Sequence, residues 1–149
     1  NLAFEDFAAV AEVRFIGTVK KVEGEVSIVE IFGQFCRGLD EITEYSHIII
    51  LYWLHLRDNE VDRRTLAVIP KRHPGAPQVG VFASRSPSRP NPIGLCVCEL
   101  VKIDVCNLIV KGLDAKESSP IVDIKPYIAK ADSIADARAP QWTLHGPPT

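Results

Sequence analysis

At 149 residues, with 46% hydrophobic and 24% charged residues, the chain is long enough to bury one core and too apolar to be a disordered segment. Its longest apolar run, residues 48–54, is far too short to cross a bilayer. The start lacks the charged-then-apolar layout of an export signal, so a cytoplasmic protein without membrane contact is the expectation. The net charge of −2 conceals an uneven distribution: −7 over residues 1–62, +6 over residues 63–98, which hold no acid, and −1 over residues 99–149. The six cations of the middle stretch, Arg63, Arg64, Lys71, Arg72, Arg85 and Arg89, form either an anion-binding face or a basic edge that pairs with the acidic remainder of the chain. The chain begins at Asn1 and contains no methionine, which reads as a processed or trimmed form.

In chain order, Leu2 to Val10 has weak helical spacing through Phe4, Phe7, Ala8 and Val10. Val13 to Val19 alternates and reads as a first strand, and Glu25 to Phe32 as a second. Phe35 to Thr43 suits a turn or a single helical turn entered near Asp40. Ser46 to Leu56 is apolar on both faces and rich in isoleucine, the mark of a central strand buried on both sides or set in a barrel wall. His47 and His55 would share a face of it roughly 26 Å apart at about 3.3 Å per residue, too far to hold one metal. His47 reads as a structural hydrogen-bonder, and His55, at the strand end, as a site candidate. Thr65 to Ile69 is a further short strand, and Pro70 to Gln78 a loop.

Val79 to Leu95, V-G-V-F-A-S-R-S-P-S-R-P-N-P-I-G-L, organises the rest. Prolines at 87, 90 and 92 fix their own φ and push the preceding residues out of the helical region, so the centre is a stiff loop between two strands. Its Arg85, Arg89 and Asn91 are presented on a preordered backbone. Leu95 to Cys106 and Leu108 to Leu113 make a hairpin turning at Asn107. In Ile121 to Tyr127, Ile121, Asp123 and Lys125 should share one face. Beyond Ala131 the tail turns Ala/Asp/Pro-rich, with a mobile end from Gly146. Cys36, Cys96, Cys98 and Cys106 form no C-x-x-C pair and sit in apolar segments, so buried reduced thiols are expected in place of disulfides, and no metal. About seven strands without a long helix predict an all-β class: a small antiparallel β-barrel, one domain over residues 1–149 with a core near 13–132. No G-x-G-x-x-G or phosphate-loop motif is present.

Three segments then carry a specific likeness: GVFASRSPSRPNPIGL (residues 80–95), SPIVDIKPY (119–127) and RGLDEITEYSHIIILYW (37–53). In this order the chain resembles the TsaA-like, or TrmO, family of tRNA methyltransferases from about Phe15 to Asp132. The resemblance implies an antiparallel β-barrel that binds S-adenosylmethionine, works as a homodimer and methylates N6 of threonylcarbamoyl-adenosine at position 37 of threonine tRNAs. Leu54, His55, Arg85, Leu95, Lys111, Gly112, Leu113 and Asp114 fall where the family binds the cofactor. Arg89, Asn91 and Lys125 match motif positions, here expected to serve the substrate, with Arg63, Arg64, Lys71 and Arg72 on tRNA phosphates. Asp114, Asp123, Tyr127 and His55 are the candidates for taking the proton of the attacking nitrogen. The chain departs from the family at Thr18 to Val22, where a longer loop would cover the cofactor, and at Glu117-Ser118, where Asp-Gly is common. That first departure favours the rival reading, a non-catalytic β-barrel module binding RNA or a nucleotide.

Overall fold

The computed structural model describes residues 9–147. The strands among them are β1 (Gly17–Glu23), β2 (Val26–Ile31), β3 (His47–Trp53), β4 (Ala67–Val68), β5 (Val79–Gly80), β6 (Ile93–Asp104), β7 (Asn107–Lys111) and β8 (Pro120–Pro126). The α-helices labelled here, α1 (Glu60–Arg63) and α2 (Ala129–Asp132), are single turns. The all-β class is borne out. Six strands pair antiparallel in the order β1-β2-β7-β6-β3-β8, and β8 returns to β1 through Gly17↔Ile121 and Thr18↔Pro120, so the sheet closes on itself. β4 and β5 form a separate ribbon. The inner face is packed with Val19, Val29, Ile48, Ile50, Cys98, Leu108, Val110 and Ile121, all buried. Helix Leu2–Val10 falls almost wholly outside the described residues.

Alternation in the sequence places most of these elements, and the exceptions have local causes. The first strand starts at Gly17, not Val13: Val13 and Phe15 are exposed, and Phe15 lies against Trp53 with ring centroids 5.8 Å apart. β3 is buried only on its inner face; Ile49, Leu51 and Trp53 are half-buried on the outside. In β8 a register shift opposite Leu51/Tyr52 pairs Ile121 with inward Tyr52 but Asp123 with outward Leu51. Ile121 therefore leaves the face of Asp123 and Lys125, which strict alternation had given it.

The hairpin turns at Val105-Cys106, one step earlier than Asn107, which is the first residue of β7 and pairs with Asp104. Val105 has φ 58°, a left-handed conformation costly for a β-branched residue. Cys106 bonds Cys36 across 70 residues, tying this turn to the 3-10 turn Gly33–Leu39. The expectation of four reduced thiols is thus corrected for this pair: spacing does not reveal that the β6–β7 turn and the Gly33–Leu39 turn meet at one end of the sheet. Cys96 and Cys98 are free and buried.

The stiff loop before β6 is built as its prolines require and is held by groups the sequence did not flag. The Ser86 N–H donates to Ser84 Oγ and the Ser88 N–H to Ser86 Oγ, both at 3.2 Å, a ladder of hydroxyl turns that explains serine at every second position. Val81–Ala83, ahead of it, is a 3-10 turn. α1 docks on this loop: Ser88 Oγ donates to Asp62 at 2.5 Å, Arg63 Nε donates to the Pro90 carbonyl at 2.8 Å, and Asn59 caps the helix by accepting from the Asp62 N–H at 2.8 Å. Asp58 accepts from the Trp53 indole at 3.1 Å and from Arg63 at 3.0 Å. The tail does not run free through residue 147. A 3-10 turn, Gln141–Leu144, lays Trp142 on His73, His73 Nδ1 donates to the His145 carbonyl at 2.5 Å, and Gly146 abuts the Arg72 carbonyl.

Replacing Cys36 or Cys106 by Ser should lower unfolding free energy by about 2–4 kcal/mol, because the crosslink closes a long loop. Denaturant titration measures this, and alkylation of the unfolded parent without reductant should label two thiols of the four. Acid should loosen the α1 contact. Hydrogen bonds from Trp53 and Arg63 hold Asp58, and those from Ser88 and Asn59 hold Asp62, below the usual carboxylate value. Groups lowered in the folded state stabilise it above the ordinary value and lose that effect as pH falls through the lowered one. Trp53 emission should therefore hold steady down to the ordinary carboxylate range and change below it, and Asp58→Asn should shrink that acid transition to the part that Asp62 contributes.

Candidate functional site

β3 ends beside the start of β6, Trp53 opposite Ile93, and the segment after β7 runs back along β6 from Glu99 toward the same end. There Leu54 and His55 follow β3, Leu95 stands near the start of β6, and Gly112, Leu113 and Asp114 follow β7. The Leu54 N–H donates to the Pro92 carbonyl at 2.7 Å, which fastens the stiff loop to the strand end. Two inward side chains fix the segment after β7. Tyr52 Oη donates to the Asp114 carbonyl at 2.5 Å, and Cys96 Sγ donates to the Gly112 carbonyl at 3.1 Å. Gly112 turns the chain at φ 90°. Gly94 makes room for the Tyr52 ring, which an added Cβ would meet at 2.5 Å. Burial, then the Asp114 charge, pushes the Tyr52 hydroxyl up to about 12, so it stays a donor across the physiological range. Burial likewise raises the Cys96 thiol, while the Arg85 charge acts to lower it, which puts Arg85 within electrostatic reach of this end.

The Asp114 carboxylate is exposed at the rim and takes Arg72 at 2.5 and 3.4 Å. Arg85 is exposed and makes no hydrogen bond or ion pair among the described residues. His55 is half-buried and equally without a partner among them. Leu95 points outward opposite Leu51, and Lys111 lies 4.0 Å from Glu25. Most of the cofactor residues expected from the sequence thus gather where β3 ends and β6 begins, whereas Lys111 lies opposite Glu99, level with His47 at the other end of β3.

The expected substrate residues do not gather in the same way. Arg89 folds back, donating to the Val81 carbonyl and, at 2.9 Å, to that of Ser84, so it braces the loop in place of presenting a fork. Arg63 is spent on Asp58, the Pro90 carbonyl and the Trp53 ring, with Asn91 Oδ1 at 3.5 Å. Arg64 pairs with Glu60 and Arg72 with Asp114. Of the four cations expected on phosphates, only Lys71 has no ion pair among the described residues. The basic run is in large part an edge paired with carboxylates of its own chain. Lys125 pairs with Asp123 at 3.0 Å on the outer wall, a solvated pair of little energetic weight. Tyr127 lies edge-on to His47 at the opposite end of β3 from Asp114. His47 itself hydrogen-bonds Ser46 Oγ at 2.7 Å, the structural role expected of it.

Two clefts, of about 570 and 460 Å³, open at that opposite end. The first lies beside Cys106 and Phe32, the second among Phe35, Ile42, Tyr45 and Asp123. No group of three or more His, Cys, Asp or Glu suited to a metal occurs among the described residues. No helix among them is long and apolar enough to cross a membrane. Tyr52, Gly94 and Cys96 were not foreseen; the legible signal was a polar-tipped residue at an inward position of β3. Both departures from the family pattern have structural expression. Thr18 to Val22 lies within β1, with a register shift between Val19 and Lys21 where a loop was expected, and Ser118 adopts φ 74° where glycine is common.

The family model of the tRNA-methyltransferase O N-terminal domain matches residues 16–133. A probable S-adenosyl-L-methionine-binding protein of Archaeoglobus fulgidus is 46% identical over 110 residues, 74% of this chain and 28% of that protein. The tRNA (adenine(37)-N6)-methyltransferase of Escherichia coli is 40% identical over 130 residues, 83% of this chain and 53% of that enzyme. The crystal structure of TrmO from Pseudomonas aeruginosa superposes with a TM-score of 0.67 at 26% identity, covering 87% of this chain and 61% of that one. The chain thus spans less than two thirds of the length of each of these three relatives. With the model matching most of the chain and the sheet superposing on a solved member, this chain belongs to the tRNA-methyltransferase O N-terminal domain family.

Proposed function

We propose that the chain carries S-adenosylmethionine-dependent methyl transfer to tRNA, at N6 of threonylcarbamoyl-adenosine 37 of threonine tRNAs. The observation that carries this reading is that Leu54, His55, Arg85, Leu95 and Gly112 to Asp114 come together where β3 ends and β6 begins. The names of the relatives, two of which specify the cofactor or the modified adenine, support it. The donor set suits the cofactor. Arg85, an unpaired exposed guanidinium, would hold its carboxylate in a bidentate fork. The Asp114 carboxylate would take its ammonium or ribose hydroxyls, exchanging with or sharing Arg72. Leu54 and Leu95 supply apolar contact for a purine. When bound, the cofactor supplies an activated methyl group, so the protein's task is alignment of the attacking nitrogen and acceptance of its proton.

His55 is the proton acceptor this geometry favours. It is at the convergent end and its imidazole is not engaged by any described neighbour, whereas Asp123 is paired with Lys125 and Tyr127 lies at the far end of β3. Tyr52 and Cys96 act through the backbone, holding Gly112 and Asp114 in place from inside the sheet. A homodimer is part of the reading. Leu95 and Val97, 44% and 43% exposed, stand beside Ile49 and Leu51 on the outer face next to the site, an apolar strip that a second copy would cover. A tRNA substrate also places the protein in the cytoplasm. The rival module, which binds without transferring, draws support from the strand that occupies residues 18–22.

Calorimetric titration with S-adenosylmethionine should show binding by the parent. Arg85→Ala and Asp114→Ala should each weaken it about tenfold or more, and Tyr52→Phe by a smaller factor, since it loses one hydrogen bond to a carbonyl. Equal affinity in all four proteins would refute the assignment of this end as the cofactor site. Methyl transfer from radiolabelled cofactor should require tRNA that carries the threonylcarbamoyl group. His55→Gln should lower kcat by about 10²- to 10⁴-fold, the usual contribution of a general base, with a far smaller change in cofactor affinity. Cofactor and tRNA binding without transfer would establish the rival.

A further inference from the structure

Phe82 is left unused by the proposed methyl transfer, and its setting is unusual. It is 81% exposed while its neighbour Val81 is 1% exposed. The turn that carries it is held from several directions. The Val81 N–H donates to the Leu66 carbonyl at 3.0 Å, and the Val81 carbonyl accepts from the Ser84 N–H and Ser84 Oγ, each at 3.2 Å, and from Arg89. Arg89 also grips the Ser84 carbonyl, so both ends of the turn are clamped by one guanidinium. A single exposed aromatic ring is ordinary on a protein surface. A rigidly presented one, three residues from Arg85, which makes no hydrogen bond or ion pair among the described residues, is a different matter.

The chemistry that fits a rigid ring beside an unpaired cation is a nucleic-acid base taken out of its stack. Unstacked bases of RNA loops are bound in this way, and an enzyme acting on a base in a structured loop needs a surface to receive it. A second protein molecule would also cover Phe82, but the cations of residues 63–98 that pair with no carboxylate among the described residues, Lys71, Arg85 and Arg89, favour a polyanion. We propose that Phe82 is a stacking platform for an unpaired base of the tRNA, adjacent to the cofactor end of the sheet. The inference rests on the proposed methyl transfer to tRNA and names a contact by which the substrate would be held.

Three proteins test it: the parent, Phe82→Leu, which keeps apolar bulk without the π face, and Phe82→Trp, which keeps both. The probes are unfractionated tRNA and a blunt RNA duplex of 20 base pairs, which offers no unstacked base. Phe82→Leu should bind tRNA about 5- to 150-fold more weakly, the range for one base–aromatic stack, with duplex binding and S-adenosylmethionine affinity unchanged. Phe82→Trp should bind tRNA like the parent, and its extra indole emission should be quenched by tRNA and not by duplex. Three outcomes overturn the stacking role while leaving methyl transfer standing: undiminished tRNA binding by Phe82→Leu, an equal loss toward duplex, or a change of oligomeric state in that variant, which would make the ring's partner a second copy. A parent that binds the cofactor but neither tRNA nor methylated product would instead refute the tRNA reading, and the stacking role with it.

Discussion

Closure of the sheet at Gly17 is the constraint on which the rest depends. β1 and β8 meet through only two residue pairs, and at the first of them an added Cβ would run into the Glu30 carbonyl of β2. Only a residue without a side chain lets three strands approach so closely there. Once the ring is closed, β1 and β8 no longer have free edges, and inner residues of the sheet such as Ile48, Ile50 and Cys98 are sealed from water. Gly17 pairs with Ile121, which pairs with Tyr52, so the closure lies beside the end where β3 finishes and β6 begins and steadies it.

The site itself is held mainly by main-chain carbonyls. Tyr52 and Cys96 reach outward from the interior to the carbonyls of Asp114 and Gly112, and Arg63 and Arg89 reach inward from the surface to those of Pro90, Val81 and Ser84. Two of the arginines that a motif reading assigns to ligands are thus framework, and the loop they brace leaves Arg85 and Phe82 as its outward-facing groups. A proline-rich segment has few N–H donors of its own, so its carbonyls must find donors on side chains. That need accounts for the placement of both guanidiniums.

The fold class and six strands of the closed sheet were legible because short runs rich in branched apolar residues, Val26–Ile31, His47–Trp53 and Asn107–Lys111, recur between turn signals. Alternation failed at Ile121 because a bulge is a change of period that a single strand does not announce. It failed at Val105 because a β-branched residue in a left-handed turn contradicts local preference and is held by long-range structure. The convergent end was foreseen through family likeness, since nothing in spacing alone joins residue 55 to residue 114. Of the two readings the basic run allowed, folding gives Arg63 and Arg72 to the paired edge and Arg89 to carbonyls of its own loop, because charge counts along a chain say nothing about which carboxylate or carbonyl folding brings alongside. The Cys36–Cys106 pairing was invisible for the same reason.

That crosslink also divides the molecule in an unexpected way. The covalent ring from Cys36 to Cys106 encloses β3, α1, the stiff loop and β6, whereas β1, β2, β7 and β8 lie on the two arms outside it. A protease entering at the exposed Pro70 to Gln78 loop would cut inside the ring. The two resulting fragments would stay joined through sulfur, with every strand of the closed sheet still in register. Nicked protein would migrate intact until reduced, and even then its halves, whose strands interleave around the closed sheet, would separate only if that sheet opened.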